Sequence, residues 1–151
     1  MSATSDFKHF FGSVPSDQNA LDLFSGEWSS QPPAARPELK GGLTPLFDDP
    51  RIAWAHHRLL EMGLVGGVAD RAVLELGPLE GGHTYLLDRL GVKSITAIEA
   101  NARAYLKCLI AKELFAINRA CFLLGDCLEF LRTSESHFDV GIACGILYHL
   151  T

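Results

Sequence analysis

From residue 50 onward, short apolar runs alternate with stretches of helical periodicity, and this alternation decides what the chain can fold into. Arg71–Leu76, Ser94–Ile98, Ala120–Leu124 and Phe138–Cys144 read as buried strands. Between and before them, helices are expected at about Arg51–Met62, at His83–Leu90, from a cap at Asn101 to about Phe115, and at Cys127–Leu131. Pro50 suits a first helical turn, with Asp48 or Asp49 as its cap. Gly63 and Gly91 stop two of the helices, and Gly77-Pro78 and Gly125-Asp126 close two of the strands. Ile52, Leu59 and Met62 would face inward from the first helix. Leu106, Leu109, Ile110, Leu114 and Ile117 recur at the spacing of an amphipathic helix. Strands separated by helices pair in parallel through right-handed crossovers, which gives an α/β, doubly wound parallel sheet.

The segment before residue 50 differs. It holds five of the seven prolines and a Gly41-Gly42 pair. Residues 1–49 are therefore expected to form an irregular N-terminal arm, or a lid, ahead of a domain spanning 50–151. Phe24 and Trp28 are its aromatic anchors. Large rings so close together need somewhere to bury.

Composition narrows the partners. Formal charge is -5, which does not indicate binding to a nucleic-acid backbone, an interaction that rewards Lys and Arg clusters. No apolar run approaches the roughly 20 residues of a membrane span, and Met1–Ser16 lacks the apolar core of a signal peptide. Cys108, Cys121, Cys127 and Cys144 form no CxxC and have no His at zinc-ligand spacing, so no metal site is indicated. Four thiols in apolar surroundings fit reduced core cysteines of a cytoplasmic protein.

Doubly wound sheets bind ligands at the carboxyl ends of their strands. The first strand ends in Glu75-Leu-Gly-Pro-Leu-Glu-Gly-Gly82, a glycine-rich turn into a helix. The second ends in Glu99, 22 residues beyond Gly77. An acid there can accept both hydroxyls of a ribose, so turn and acid together point to an adenosine-containing cofactor. Glycine spacing does not choose between cofactors. Gly77 and Gly82 fit a dinucleotide fingerprint, and Glu75, Gly77 and Gly81 fit a methyltransferase turn, but Leu79 stands at the second glycine of both.

Four segments in order and spacing resemble the class I S-adenosylmethionine-dependent methyltransferases. They are Val73-Leu-Glu-Leu-Gly-Pro-Leu-Glu-Gly-Gly82, Ile98-Glu-Ala-Asn101, Leu124-Gly-Asp-Cys127 and Phe138-Asp-Val-Gly-Ile-Ala-Cys-Gly-Ile-Leu-Tyr-His149. The resemblance covers about residues 50–151. It implies that Gly77, Gly81 and Gly82 approach the methionine part of S-adenosyl-L-methionine and that Glu75 orients its amino group. Glu99 would hold the ribose hydroxyls. Asp126 would accept from the adenine amino group, with the Cys127 N–H on a ring nitrogen. Cys144 and Gly145 would offer carbonyls near the methionine end. Tyr148 and His149 are weak candidates for substrate positioning or a base. Leu79 and Glu80 depart from the family pattern.

The family's sheet has seven strands in the order 3-2-1-4-5-7-6. This chain stops after strand four, so the resemblance implies an incomplete sheet of about four strands, ordered 3-2-1-4, in a truncated form or fragment. Strand four would then be an open edge that favours self-association. The expected function is methyl transfer to an unidentified acceptor. The alternatives are a non-catalytic cofactor-binding remnant or interaction module and, further off, an NAD-dependent oxidoreductase.

Overall fold

The structure is a computed structural model that describes residues 10–146. The elements run α1 (Asp17–Asp22), α2 (Pro50–Glu61), β1 (Ala72–Leu76), α3 (Gly82–Arg89), β2 (Ser94–Glu99), α4 (Ala102–Leu114), β3 (Ala120–Leu124), α5 (Cys127–Thr133) and β4 (Val140–Ile142). Local chemistry sets the helix starts. Asp49 accepts from the Arg51 N–H ahead of Pro50, Asn101 accepts from Arg103 and Ala104, and Asp126 accepts from Leu128 and Glu129. These caps satisfy N–H groups that a first helical turn leaves without partners.

The four strands form one parallel sheet ordered β3-β2-β1-β4, as the resemblance implied. Val73 pairs with both Ile95 and Val140, and Ile95 pairs with Ala120. Because side chains alternate along each strand, the sheet has two distinct faces. Val73, Ile95, Ala97, Phe122, Val140 and Ile142 lie on one face, in a core shared with Leu87 of α3 and with Cys108 and Ala111 of α4. Leu74 and Ile98 lie on the other, covered by Cys127 and its helix α5.

Three local expectations need correction. Strand four is shorter than Phe138–Cys144, with only Val140–Ile142 on the ladder beside β1. Met62 does not face inward. It follows the last turn of α2 and is exposed, whereas Ile52 is buried. In α4 the apolar stripe is only partly covered: Leu106 and Leu109 are 39% and 38% exposed, whereas Ile110 and Leu114 pack against the core and Ile117, beyond the helix, is buried. The buried face carries Ala104, Lys107, Cys108 and Ala111. Small side chains there let the helix backbone lie close to the sheet, and the larger ones lean toward α1.

The segment before α2 is closely packed. Leu21, Leu39 and Phe47 belong to the same buried cluster as Val73 and Ile95. Phe47 meets Tyr85 and Phe115 edge-on, with ring centroids 5.7 and 5.0 Å away. Phe24 is buried, and it packs edge-to-face on the half-buried Trp28 at 6.5 Å. Fully burying such a ring is worth roughly 1.5–3 kcal/mol, which holds this segment on the domain. No helix among the described residues is long and apolar enough to cross a membrane.

A buried ion pair fastens the segment to the sheet. The Lys107 Nζ lies 2.8 Å from the Glu80 Oε1, and both side chains are almost wholly out of water. Glu80 also accepts the Ser29 N–H at 3.0 Å and the Ser30 N–H at 2.7 Å. Lys107 donates to the Glu27 carbonyl as well. Burial pushes the Glu80 carboxyl up, but the bonds from Lys107, Ser30 and Ser29 outweigh it and hold the group below its ordinary value. Glu80 thus contributes stability above its unfolded pKa, and that contribution is lost as pH falls through the lower folded value.

Removing one partner leaves a buried charge alone. Lys107→Met should destabilise the fold by about 3–5 kcal/mol in urea melts. The same change in a Glu80→Gln background should cost less, because no unpaired charge then remains.

Candidate functional site

A cavity of about 530 Å³ opens at the carboxyl ends of the strands. The turn after β1 supplies Gly77, Pro78, Leu79, Gly82 and His83 to its wall. The end of β2 supplies Glu99, Ala100 and Asn101, and the chain after β4 supplies Cys144, Gly145 and Ile146. Leu46 and Arg51 close it from the preceding segment and the start of α2. Its volume falls in the range of small-molecule sites, roughly 300–1,000 Å³.

Glycine backbone shapes the turn. Gly77 has φ +68°, and a Cβ there would meet the Ile146 side chain at 2.9 Å. Gly81 precedes α3 at φ +82°. Leu79 stands where a glycine was expected, and it adopts glycine's backbone, with φ +57°. A leucine in that region costs roughly 1–2 kcal/mol. Two anchors hold it there. Its N–H donates to the Glu99 Oε2 at 2.9 Å, and the next residue, Glu80, is clamped by Lys107.

Glu99 is almost fully buried, yet its carboxylate forms part of the cavity wall. Oε2 accepts from Leu79 and Oε1 accepts from the Asn101 N–H at 2.8 Å. Each oxygen keeps further acceptor capacity. Glu75 lies behind the turn, 2% exposed, and accepts from the Thr84 hydroxyl at 2.6 Å. Burial, with Glu99 adding like charge, raises its pKa to about 7 against the pull of Thr84.

The structure brings Gly77, Gly82, Glu99, Cys144 and Gly145 to one cavity. The other named residues do not line it. Gly81 is buried against Phe122 and α4. Asp126 follows β3 at the same end of the sheet, but it is solvent-exposed and caps α5. Cys127 packs with Leu74 and Ile98. Asp126 thus lies outside the wall that Glu99 helps to form, with its Oδ1 accepting from the Leu128 and Glu129 N–H groups of its own helix. Tyr148 and His149 lie outside the described residues. Burial pushes the Cys144 thiol up, so it stays protonated near neutral pH.

Two side chains of the wall escaped the sequence reading. His83 had no visible partner in the sequence, yet its Nε2 lies 3.0 Å from the Asp49 Oδ2. Arg51 forks onto the same carboxylate. The Arg51 bonds, aided by His83 and opposed by burial, hold Asp49 well below the usual carboxylate range. Asp49 was legible as a cap through its neighbour Pro50. Its partner 34 residues away was not.

No family model matches the chain. No curated protein matches it either. Among solved structures it is similar to WbdD, at 22% identity and TM-score 0.57, over 68% of this chain and 24% of that one. It is also similar to EvdMO1, at 25% identity and TM-score 0.49, over 64% of this chain and 23% of that one. A third likeness, at 17% identity and TM-score 0.43, is to the PRMT1 enzyme-prozyme complex of Trypanosoma brucei with AdoHcy, over 59% and 29% of the two chains. The chain spans about a quarter of the length of the first two. The parallel sheet ordered β3-β2-β1-β4, with helices on both faces, is a Rossmann-like fold, and WbdD shares it.

Glu75 generates a pH-dependent prediction. Its folded pKa lies above its unfolded value near 4.5, so the unfolded chain releases this proton first as pH rises. The folded state therefore loses stability between about pH 4.5 and 7, by about 3 kcal/mol in all. Glu75→Gln should melt higher than wild type at pH 8, and the gap should close by pH 4.5.

Proposed function

We propose that the cavity binds S-adenosyl-L-methionine and that the protein transfers its methyl group to an acceptor. The single observation that carries this reading is Glu99. It is a nearly buried carboxylate set into the cavity wall at the end of β2, facing the glycine-rich turn after β1. No basic side chain pairs with it among the described contacts. Its two oxygens are fixed by backbone N–H groups and keep lone pairs for two hydroxyls, which suits a ribose. The four motifs that resemble the methyltransferase family support the same cofactor.

The residues present fit that group. The turn at Gly77 and Gly82 exposes backbone to the cavity, and Glu75 stands behind it as an acid able to accept from an ammonium. Cys144 and Gly145 bound the opposite wall. Asp126 and Cys127 lie next to the Glu99 strand end, where the Gly125 N–H donates to the Glu99 carbonyl at 2.9 Å. An adenine seated beyond the ribose would have to reach them outside the cavity as it stands. When bound, the cofactor supplies an activated methyl group and a neutral leaving group. The protein's own task is to hold it against the wall, exclude water and align the acceptor.

Isothermal titration with S-adenosylhomocysteine tests the reading. Wild type should bind, and Glu99→Ala should lose about 1–3 kcal/mol of binding free energy through lost charge-assisted hydrogen bonds. An unchanged dissociation constant would remove Glu99 from the ribose role. Binding without transfer in a radiolabelled-methyl assay would make the protein a cofactor-binding module rather than an enzyme.

A further inference from the structure

His83 and Asp49 form a nearly dry polar pair on the side of the cavity away from Glu99. Glu99 ends β2, whereas Asp49 and Arg51 lie close enough to Cys144, after β4, for their charges to act on its thiol, and β1 runs between the two strands. His83 borders the cavity from the first turn of α3. Its Nε2 lies 3.0 Å from the Asp49 Oδ2, and the two side chains are only 11% and 9% exposed. The carboxylate fixes the tautomer of the ring. Asp49 is held well below the usual carboxylate range, so near neutral pH it is ionised and can only accept. The ring nitrogen beside it must then carry the hydrogen, and in the neutral ring the lone pair falls to Nδ1. Among the described residues nothing bonds to Nδ1, and the buried side-chain atoms without a partner are the Ser30 Oγ and the Arg71 Nε. Nδ1 is therefore a lone pair within reach of solvent, on a residue that borders the cavity.

An imidazole lone pair held in one tautomer by a carboxylate is equipped to take a proton. We propose that His83 is the base that receives the acceptor's proton, with Asp49 as its positioning residue, and that the acceptor is a hydroxyl, of an alcohol or a phenol. The inference rests on the proposal that the cavity binds S-adenosyl-L-methionine, and it adds the acceptor class. An amine attacks with a lone pair it already has, whereas a hydroxyl must shed its proton as the new bond forms. The acceptor oxygen bonds to the methyl carbon while the carbon–sulfur bond breaks with its electron pair going to sulfur, and the O–H proton passes to Nδ1. The imidazolium keeps its Nε2–H on Asp49 and then returns the extra proton to solvent. Asp49 matters for charge as well as for orientation. The N-terminal end of a helix disfavours a cation, and His83 stands there in α3. Arg51 shares the same carboxylate but is 55% exposed, so water screens much of its charge.

Two measurements test this without the acceptor in hand. Nitrogen-15 NMR of the imidazole reads the tautomer: neutral His83 should carry its hydrogen on Nε2 in wild type, and Asp49→Asn, whose amide can accept or donate, should give a mixture. Hydrogen on Nδ1 in wild type would overturn the proposal, and an unchanged tautomer in Asp49→Asn would strike Asp49 from it. The second measurement is titration with S-adenosylhomocysteine and with sinefungin, in which a carbon bearing a charged amine replaces the methyl-bearing sulfur. A base poised at the methyl group accepts from that amine. Wild type should bind sinefungin about ten-fold or more tightly than S-adenosylhomocysteine, and His83→Phe should cut this ratio about ten-fold, whatever it does to either affinity alone. The wild-type ratio and tautomer stand even where a variant fails to fold in thermal melts. A wild-type ratio near one would overturn the proposal. So would a loss in His83→Phe shared equally by both ligands, which would make His83 a contact of the cofactor's unreactive end. Failure of wild type to bind either ligand would sink the cofactor reading and the base with it, a result distinct from the other two.

Discussion

The Glu80–Lys107 pair is the constraint on which the rest of the site depends. Lys107 comes from the buried face of α4, Glu80 from the turn after β1, and their three further backbone partners, Glu27, Ser29 and Ser30, from the segment before the sheet. One carboxylate thus ties three stretches of chain that are remote in sequence. A buried pair of this kind is poor evidence for net stability, since removing two ions from water costs about what their attraction returns. What it fixes is register. Neither charge can move away from the other without being left alone in the interior, so turn, helix and N-terminal segment are locked in one arrangement. The Lys107 ammonium also lies 5.6 Å from the Trp28 ring centre, which adds an aromatic wall to the same joint.

From that joint the constraint passes to the cavity in two short steps. Glu80 is adjacent in the chain to Leu79, and the Leu79 N–H holds the Glu99 carboxylate. A strained left-handed leucine is tolerable there because it is fixed on both sides, and Glu99 is pre-oriented because Leu79 and Asn101 occupy one position on each oxygen. Pre-orientation lowers the entropic cost that a ligand would otherwise meet on binding. The site also carries an electrostatic cost. Burial behind the turn, with Glu99 adding like charge, raises the Glu75 pKa to about 7, and no base among the described contacts neutralises Glu75. Such an arrangement favours a ligand that brings positive charge.

Much of this was readable one residue at a time. The strand-helix alternation gave the fold class, and the cap at Asn101 and the glycine stops gave boundaries mostly within a residue or two. The turn and Glu99 were legible because a strand-to-helix turn and an acid at the next strand's end stand at a spacing that the parallel topology imposes. Asp126 shows the limit. Its position after β3 suggested a ligand contact, but whether a carboxylate serves a ligand or its own helix is a matter of side-chain orientation. The α4 stripe shows another. Periodicity identified a helix, yet the close-packed face turned out to be the one with small residues and a lysine.

The sequence by itself determined the elements, their parallel pairing and the end of the sheet where a ligand belongs, because those follow from short-range sterics, capping and the handedness of crossovers. Only the tertiary structure decided the pairings across long separations: Glu80 with Lys107, 27 residues apart, and His83 with Asp49, 34 apart. It also decided that Leu79 would take a glycine's backbone. A charge or a strained residue carries no mark in the sequence of what will neutralise or hold it. That depends on which distant groups share its low-dielectric surroundings once the chain is packed, where an unpaired ion costs far more than it does in water.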